Sequence, residues 1–456
     1  MSTDLDVTSL EPPALPGGLP GLGHTVAFGT DPVAFLVKAQ EKVGDVFTVR
    51  IAGRKFTVLC GADANDAVFR ATDHALGWRR AYESMAPIFG ENILFDAPPE
   101  LFQEHMAMML PALSGGAVSG YAEAMVEEID RFLDGWGDAG TTDLAAGMSE
   151  LSVNIAAGCL IGPEFARLVS RDLVRLFDDL KAAGRLAWLV GPNLPLPAFR
   201  RRDRARAELV ETILSAAKKI RDEDPSGERF IVSLMDSRYS DGRPVPEEVV
   251  SALLLAIIVA GEHNTAALAA WTGTLMLRHP ETASAVIREQ DALAADATGS
   301  AVPDVHQMTT LRRCVTEAER MHPPTTVLLR DAEEDFYYGG YRIARGSRVM
   351  ISPAASHRLP GTFTDPDRYD PDRFSPERAE HRGNPRPLSA FGGGKHLCTG
   401  KAFAYQEIML IWSRILTRFE IELVDTAVRP DYAAPVAAPK TPCRIRYRRR
   451  TGPSGG

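Results

Sequence analysis

The residues best suited to chemistry lie in the stretch Phe391-Gly392-Gly393-Gly394-Lys395-His396-Leu397-Cys398-Thr399-Gly400. A lone cysteine is most often a small buried hydrophobe. Here three successive glycines precede it, and glycine lets a backbone pass close to a flat, bulky group. A helical pattern opens after Gly400, so Cys398 sits just ahead of a helix. Free N–H groups and the helix dipole favour a thiolate there. A thiolate is the soft, electron-donating ligand that promotes O–O cleavage at a haem iron. A glycine loop before a helix can also cradle phosphate. That reading lacks the Lys-Ser/Thr pair of a P-loop and the spacing of a dinucleotide site.

Two further constellations stand out. Glu317 and Arg320 are three apart on a helical stretch and share a face. A surface ion pair is the ordinary reading of such a pair. The polar island Glu262-His263-Asn264-Thr265 follows Ala260-Gly261 inside a nearly apolar helix from about Pro246 to Leu277. That helix opens on Pro246, Glu247 and Glu248, good first-turn residues. An interior glycine costs about 1 kcal/mol, and buried polar groups cost more unless paired. A satisfied core network would look the same as a functional groove.

The elements that position these residues are mostly helical. Helical spacing runs from about Asp63 to Glu319. A hairpin precedes it, from Val46-Phe47-Thr48-Val49-Arg50-Ile51 to Phe56-Thr57-Val58-Leu59. Short strands return near Phe336 to Ile351 and near Cys443 to Tyr447. Leu359 to Phe391 is rich in Pro, Asp and Arg and reads as a long ordered loop, usually a functional one. The fold class is mainly α with small β-sheets. Residues 1–23 form an irregular Pro/Gly-rich lead-in, 24–450 a single domain, and 451–456 a flexible tail.

The 456 residues are 45% hydrophobic, enough for a large core, and the net charge of −9 argues against a nucleic-acid surface. Arg448-Arg449-Arg450 reads as a solvated tail. The five cysteines are scattered, which gives neither a disulfide framework nor a zinc cluster and fits a reducing cytoplasm. The acidic start, Met1 to Leu10, is no signal peptide. The longest apolar run, Ala252 to Ala260, falls short of the roughly 18 residues of a membrane span. No membrane anchor is expected, and the protein is expected to be a soluble monomer.

The Cys398 loop resembles that of the cytochrome P450 superfamily, Phe-x-x-Gly-x-(His/Arg)-x-Cys-x-Gly, at Phe391, Gly394, His396, Cys398 and Gly400. The resemblance implies the P450 fold, with heme b between the long central helix and the Cys-loop helix and Cys398 as the axial iron ligand. It implies that Phe391 packs near the sulfur beside Gly392, and that His396 and Arg330 meet haem propionates. It places the oxygen-binding groove at Ala260, Gly261, Glu262, His263, Asn264 and Thr265. It makes Glu317, Arg320 and Arg373, the last in Pro371-Asp372-Arg373-Phe374, a buried ion network whose role is scaffolding.

Over about Asp31 to Arg450 the chain is similar to the sterol 14α-demethylase family. The matching stretches are Tyr82-x-x-Met85-x-Pro87-Ile88-Phe89-Gly90 with Phe95-Asp96, Cys159-Leu160-Ile161-Gly162, Phe199-Arg200-Arg201-Arg202-Asp203, Ala260-Gly261-x-His263, and the ending Arg446 to Arg450. By this resemblance Tyr82 contacts both haem and substrate. The remaining pocket residues are Ser84, Met85, Ala86, Phe89, Ala260, Thr325, Thr326 and Val327.

The departures set expectations of their own. The family's hydroxyl residue for proton delivery falls on Asn264, an amide and a poor relay. Thr265 is next door but about 100° around the helix. Either Asn264 works through an ordered water, or a substrate hydroxyl helps, or helix distortion brings in Thr265. Ser84 and Ala86 replace a bulky apolar residue and a threonine, and Thr325 and Thr326 replace aliphatic ones, so the pocket should be roomier and more polar. No Lys or Arg occurs between Arg80 and Arg131, which leaves His105 for a propionate and Lys395 and Lys401 for an electron-donor protein.

The expectation is therefore a haem-thiolate monooxygenase fed by ferredoxin and ferredoxin reductase. Its lipophilic substrate would be bulky with some polar groups, a terpenoid or polyketide-like specialised metabolite. Sterol 14α-demethylation is the second reading. A peroxide-driven enzyme or a non-oxygenating haem protein is a third.

Overall fold

The computed structural model describes residues 10–162, 165, 175–177, 179–180, 194–223, 229–296, 302–383, 385, 387–433 and 436–451. The acidic start before Leu10 and the tail after Thr451 lie outside them. In chain order the helices are α1 Thr25–Thr30, α2 Pro32–Val43, α3 Ala62–Arg70, α4 Ala86–Phe89, α5 Pro99–Leu113, α6 Gly115–Gly120, α7 Ala122–Asp134 and α8 Leu144–Leu160. They continue with α9 Pro197–Glu223, α10 Phe230–Met235, α11 Glu247–Leu277, α12 Pro280–Asp296, α13 Thr309–Met321, α14 Pro353–Ser356 and α15 Lys401–Arg418. The strands are β1 Val46–Ile51, β2 Arg54–Leu59, β3 Leu76–Gly77, β4 Ala139–Asp143, β5 Leu328–Ala332, β6 Phe336–Tyr338, β7 Tyr341–Ile343, β8 Arg348–Ile351, β9 Phe419–Leu423 and β10 Arg444–Arg449.

These elements group into two compact units built from interleaved segments. The first comprises Met1–Glu83, Thr325–Arg368 and Ala379–Leu397. It is organised by a five-stranded sheet in the order β1-β2-β8-β5-β3. The β1–β2 hairpin turns on Ala52 and Gly53, both at positive φ, the two-residue turn that matches strand twist. β2 pairs in parallel with β8, and its neighbours pair antiparallel. Val46, Leu59, Val68, Phe69, Val349 and Ile351 make the core under the sheet. The lead-in is less irregular than its composition suggests. Leu15 and Thr48 are joined backbone to backbone at 2.9 Å, and Gly23 bridges Ile51.

The second unit comprises Ser84–Pro324, Tyr369–Arg378 and Cys398–Gly456. Its spine is α11, nearly buried all round from Val250 to Ile258 and from Thr265 to Met276. α8, α9, α13 and α15 pack against it. α8 starts on an Asp143 cap, whose carboxylate accepts from Ala146 N–H at 3.1 Å. A Cβ on Gly273 would lie 1.8 Å from the Trp412 ring, so only glycine lets α11 and α15 approach this closely. Trp412 Nε1 donates to Ala269 O at 2.9 Å, and Trp271 Nε1 to Ala437 O at 2.7 Å. These bonds let two indoles be buried without loss.

α11 is long and apolar enough to cross a membrane, contrary to the expectation that no stretch is. Its most apolar window is 67% buried within the protein, as a core helix would be. Arg448, Arg449 and Arg450 also differ from expectation. Arg448 and Arg449 end β10, and Arg448 pairs with Glu420 of β9 at 2.7 Å. Arg450 grips Asp291 with both terminal nitrogens, at 2.6 and 2.8 Å. The basic run is tied down rather than a free tail: Arg448 pairs across the sheet, Arg449 with Asp138 and Arg450 with a helix.

Candidate active site

Of the five cysteines, Cys60, Cys314 and Cys443 are buried, Cys159 is half-buried and Cys398 is exposed. Cys443 lies against Thr274, with Sγ 3.5 Å from its Oγ1. Cys398 precedes α15, whose N-cap position is Gly400. The backbone N–H groups of Gly400 and Lys401 donate to its sulfur. Although the residue is exposed, protein crowds the thiol, and this desolvation raises its pKa. The Gly400 N–H and the Lys401 charge oppose that rise, and Glu319 adds to it. An accessible sulfur with N–H donors at a helix start fits a thiolate ligand to a haem iron, where the metal displaces the proton.

The glycines before it serve the protein's own packing. Gly392 and Gly394 have φ of +75 and +58. A Cβ would meet His396 O at 2.8 Å from Gly392, the Phe69 ring at 2.8 Å from Gly393, and Phe69 O at 2.0 Å from Gly394. Gly393 and Gly394 therefore let the loop press onto α3, and Gly392 lets it turn under His396 O. Phe391 is half-buried beside it.

In the first unit a polar group gathers around His396. Its Nε2 sits 2.8 Å from Asp73 Oδ1, and its ring meets Trp78 edge-on at 4.2 Å. Burial lowers its pKa, the Asp73 bond raises it, and Arg330 lowers it again. Arg330 is buried and donates to Leu329 O at 2.8 Å. Leu329 N–H donates to Tyr82 Oη at 3.2 Å. A cation, a phenol and an imidazole together suit the carboxylates of a propionate-bearing group. Asp73 and Trp78 were not legible in the sequence, because Asp73 lies 323 residues from its partner.

In the second unit the middle of α11 opens on one side. Ala260 is exposed, and Gly261, His263 and Asn264 are half-buried. Asn264 Nδ2 donates to Ala260 O at 3.4 Å, one turn back. Thr265 is 3% exposed and turned away from this strip, and α11 runs unbroken through it, so no distortion brings it in. Glu262 is fully buried on the other side. It accepts from Ser149 Oγ of α8 at 2.7 Å and lies 3.1 Å from His263 Nδ1. One turn along α8, Ser152 Oγ donates to Glu407 of α15 at 2.6 Å. Burial pushes the Glu407 carboxyl up to about 8, with Ser152 opposing and Glu262 adding to the rise. The α8 serines and Glu407 were missed by sequence reasoning. A possible signal was polar residues on an otherwise apolar helix. A Cβ on Gly261 would only touch Ala156 at 3.7 Å, so packing does not demand glycine there.

Other expected residues are placed as follows. Glu317, Arg320 and Arg373 are fully buried. Arg320 grips both Glu317 oxygens at 2.7 and 2.9 Å, Arg373 Nε joins at 3.1 Å, and Asp370 N–H donates at 2.9 Å. His105 is buried, with neither ring nitrogen hydrogen-bonded among the described residues, and its ring lies 6.2 Å from that of Tyr239. Burial lowers its pKa. Ser84, Met85 and Ala86 are half-buried and Phe89 buried, at and before α4 in the second unit. Tyr82, Thr325, Thr326 and Val327 are half-buried in the first unit. Lys395 is exposed, whereas Lys401 turns to Glu319 at 3.5 Å and lies over the Tyr405 ring.

The cytochrome P450 family model matches residues 12–446. The chain belongs to this family. It is similar to the sterol 14-demethylase of Arabidopsis thaliana, 36% identical over 96% of this chain and 91% of that protein. It is likewise similar to the sterol 14alpha-demethylase of Mycolicibacterium vanbaalenii, 34% identical over 96% of this chain and 98% of that one. The fold also matches a cyanobacterial P450 solved with retinoic acid bound, at a TM-score of 0.85 and 23% identity over 97% of this chain and 100% of that one. The protein is thus a cytochrome P450 monooxygenase carrying haem on an axial cysteine, acting on a lipophilic substrate with electrons from redox partners.

Proposed function

We propose that Cys398 is the axial ligand and that the enzyme oxidises a bulky, mostly apolar substrate carrying polar groups, a specialised metabolite of terpenoid or polyketide-like kind. The observation that carries the ligand assignment is that Cys398 alone of the five cysteines is exposed, at a helix start with two N–H donors. When bound, haem supplies reductive activation of O2 and oxygen insertion into a C–H bond. Arg330, Tyr82 and His396, the last held by Asp73, would bind the propionates. His105, whose buried ring nitrogens have no hydrogen-bond partner among the described residues, would take a propionate as well. The catalytic domain is taken as residues 24–450.

Protons reach the oxygen side through Glu262 and His263. Ser149 holds Glu262 from α8, and Glu262 hands a proton to His263 Nδ1, whose ring reaches the accessible strip of α11. Asn264 positions a water or a substrate hydroxyl there with its amide, and cannot itself relay by ionising. Ser84, Met85, Ala86, Phe89 and Ala260 of the second unit and, separately, Tyr82, Thr325, Thr326 and Val327 of the first are assigned to substrate. The small or hydroxylated ones, Ser84, Ala86, Ala260, Tyr82, Thr325 and Thr326, favour a ligand with polar groups. Ferredoxin and its reductase deliver the electrons to a cytoplasmic monomer.

Sterol 14α-demethylation is a second reading, favoured by the relatives' names and by identity over nearly the whole chain. Two experiments decide. Reduced protein with carbon monoxide should give the red-shifted Soret band of thiolate ligation, and Cys398→Ser should lose it; retention of the band refutes the assignment. Titration with 14α-methyl sterols and with terpenoid and polyketide panels should then perturb the Soret band with the latter. Tight binding and turnover of the sterols alone would establish the second reading.

A further inference from the structure

α4 is a single turn, Ala86–Phe89, closed by the Gly90 N–H to Ala86 O bond at 2.7 Å. One turn cannot hold itself, because helix nucleation is unfavourable. Its neighbours must place it, and α4 packs against both α9 and α11. The hold from α9 is specific. Arg206 Nε donates to Ile88 O at 3.0 Å, and its Nη2 to Phe89 O at 3.4 Å. These carbonyls are the ones a helix end leaves open, and a cation suits that end. Gly90, at φ +117, ends the turn, and a Cβ there would lie 3.2 Å from Arg206 Nη2. The chain beyond is held by a second local bond, Asn92 N–H to Asp96 Oδ2 at 2.8 Å, and the Phe89 and Phe95 rings sit 6.0 Å apart.

We propose that Arg206 is a specificity-determining positioning residue. Through the last carbonyls of α4 it fixes the turn that carries Met85, Ala86 and Phe89 against α11. Releasing it broadens ligand selection and speeds ligand exchange. The inference rests on the reading of Ser84 to Phe89 as ligand-facing. The bonds of Arg206 run to the α4 carbonyls of Ile88 and Phe89, not to Cys398, so its effect should grow with ligand bulk.

The test compares holoenzyme with Arg206→Ala and Arg206→Lys, using imidazole and a triphenylmethyl-substituted imidazole as iron-binding probes. In Arg206→Ala the bulky probe should dissociate roughly tenfold faster, the scale expected for losing a charge-assisted pair of bonds. Imidazole should leave at the wild-type rate. Millimolar guanidinium should slow the bulky probe again, and Arg206→Lys should fall between. Hydrogen exchange should speed up at Gly90 and Asn92 relative to α11. Wild-type dissociation of the bulky probe in both variants, or equal acceleration of both probes, overturns the proposal. The exchange measurement needs no iron ligation, so a failed Cys398 assignment would leave this reading separately decided.

Discussion

At the scale of single residues, Asn264 stands where the resemblance to sterol 14α-demethylases implies a hydroxyl residue. Its amide N–H is bound to Ala260 O, and its oxygen can only accept a hydrogen bond. An acceptor can order a water but adds no titratable proton. Asn264→Ala should lower product formed per electron consumed by roughly an order of magnitude, with Asn264→Thr at or above wild type. Measured coupling that stays unchanged in Asn264→Ala would remove the residue from proton handling. The position of Cys398 ahead of a helix was legible in sequence because its signal is local, a glycine run and a helix start within ten residues. Asp73, Trp78 and Ser149 were not, since each gains meaning only from a partner far along the chain.

At the scale of elements, α8, α11 and α15 bring two buried carboxyls together, Glu262 and Glu407, each bonded to a serine of α8. Glu407 titrates near 8 in the fold against an ordinary 4.5. The folded state therefore binds this proton more tightly than the unfolded chain does. Stability from this group is full below about 4.5 and declines as pH rises to about 8. Glu407→Gln should flatten that decline and gain on the order of a few kcal/mol above it. Melting temperatures of both proteins across pH would show parallel curves if Glu407 were not responsible. The long helices and the β1–β2 hairpin were plain in the sequence, because their periodicity is strong. β3 has two residues, and β4 is the polar run Ala139–Asp143, so neither carries an alternating apolar signal. β10 was legible near Cys443 to Tyr447, because its arginines alternate with Ile445 and Tyr447; what stayed hidden is that Arg446 and Arg448 pair with acids of β9.

At the scale of the molecule, charge governs how an electron donor arrives. The chain carries a net charge of −9, has no Lys or Arg from 81 to 130, and turns Lys401 inward to Glu319. Long-range attraction to an acidic donor such as the proposed ferredoxin is thus weak. The rate of first-electron transfer should change by no more than about twofold between low and physiological ionic strength. A steep fall in stopped-flow reduction with salt would contradict this. The division into units was hidden from sequence for a plain reason. Each unit is assembled from three separated segments, and no linker marks a boundary.

The contact between Gly394 and Phe69 bears on how portable the cysteine motif is. The letters Gly393 and Gly394 answer to a helix more than 300 residues upstream, Gly392 to the carbonyl of His396 within the loop, and only the later letters answer to the sulfur. Grafting the ten residues onto another scaffold would carry over the ligand but not the surface that shapes its approach. An engineer would have to transplant α3 with the loop, treating the two as a single part.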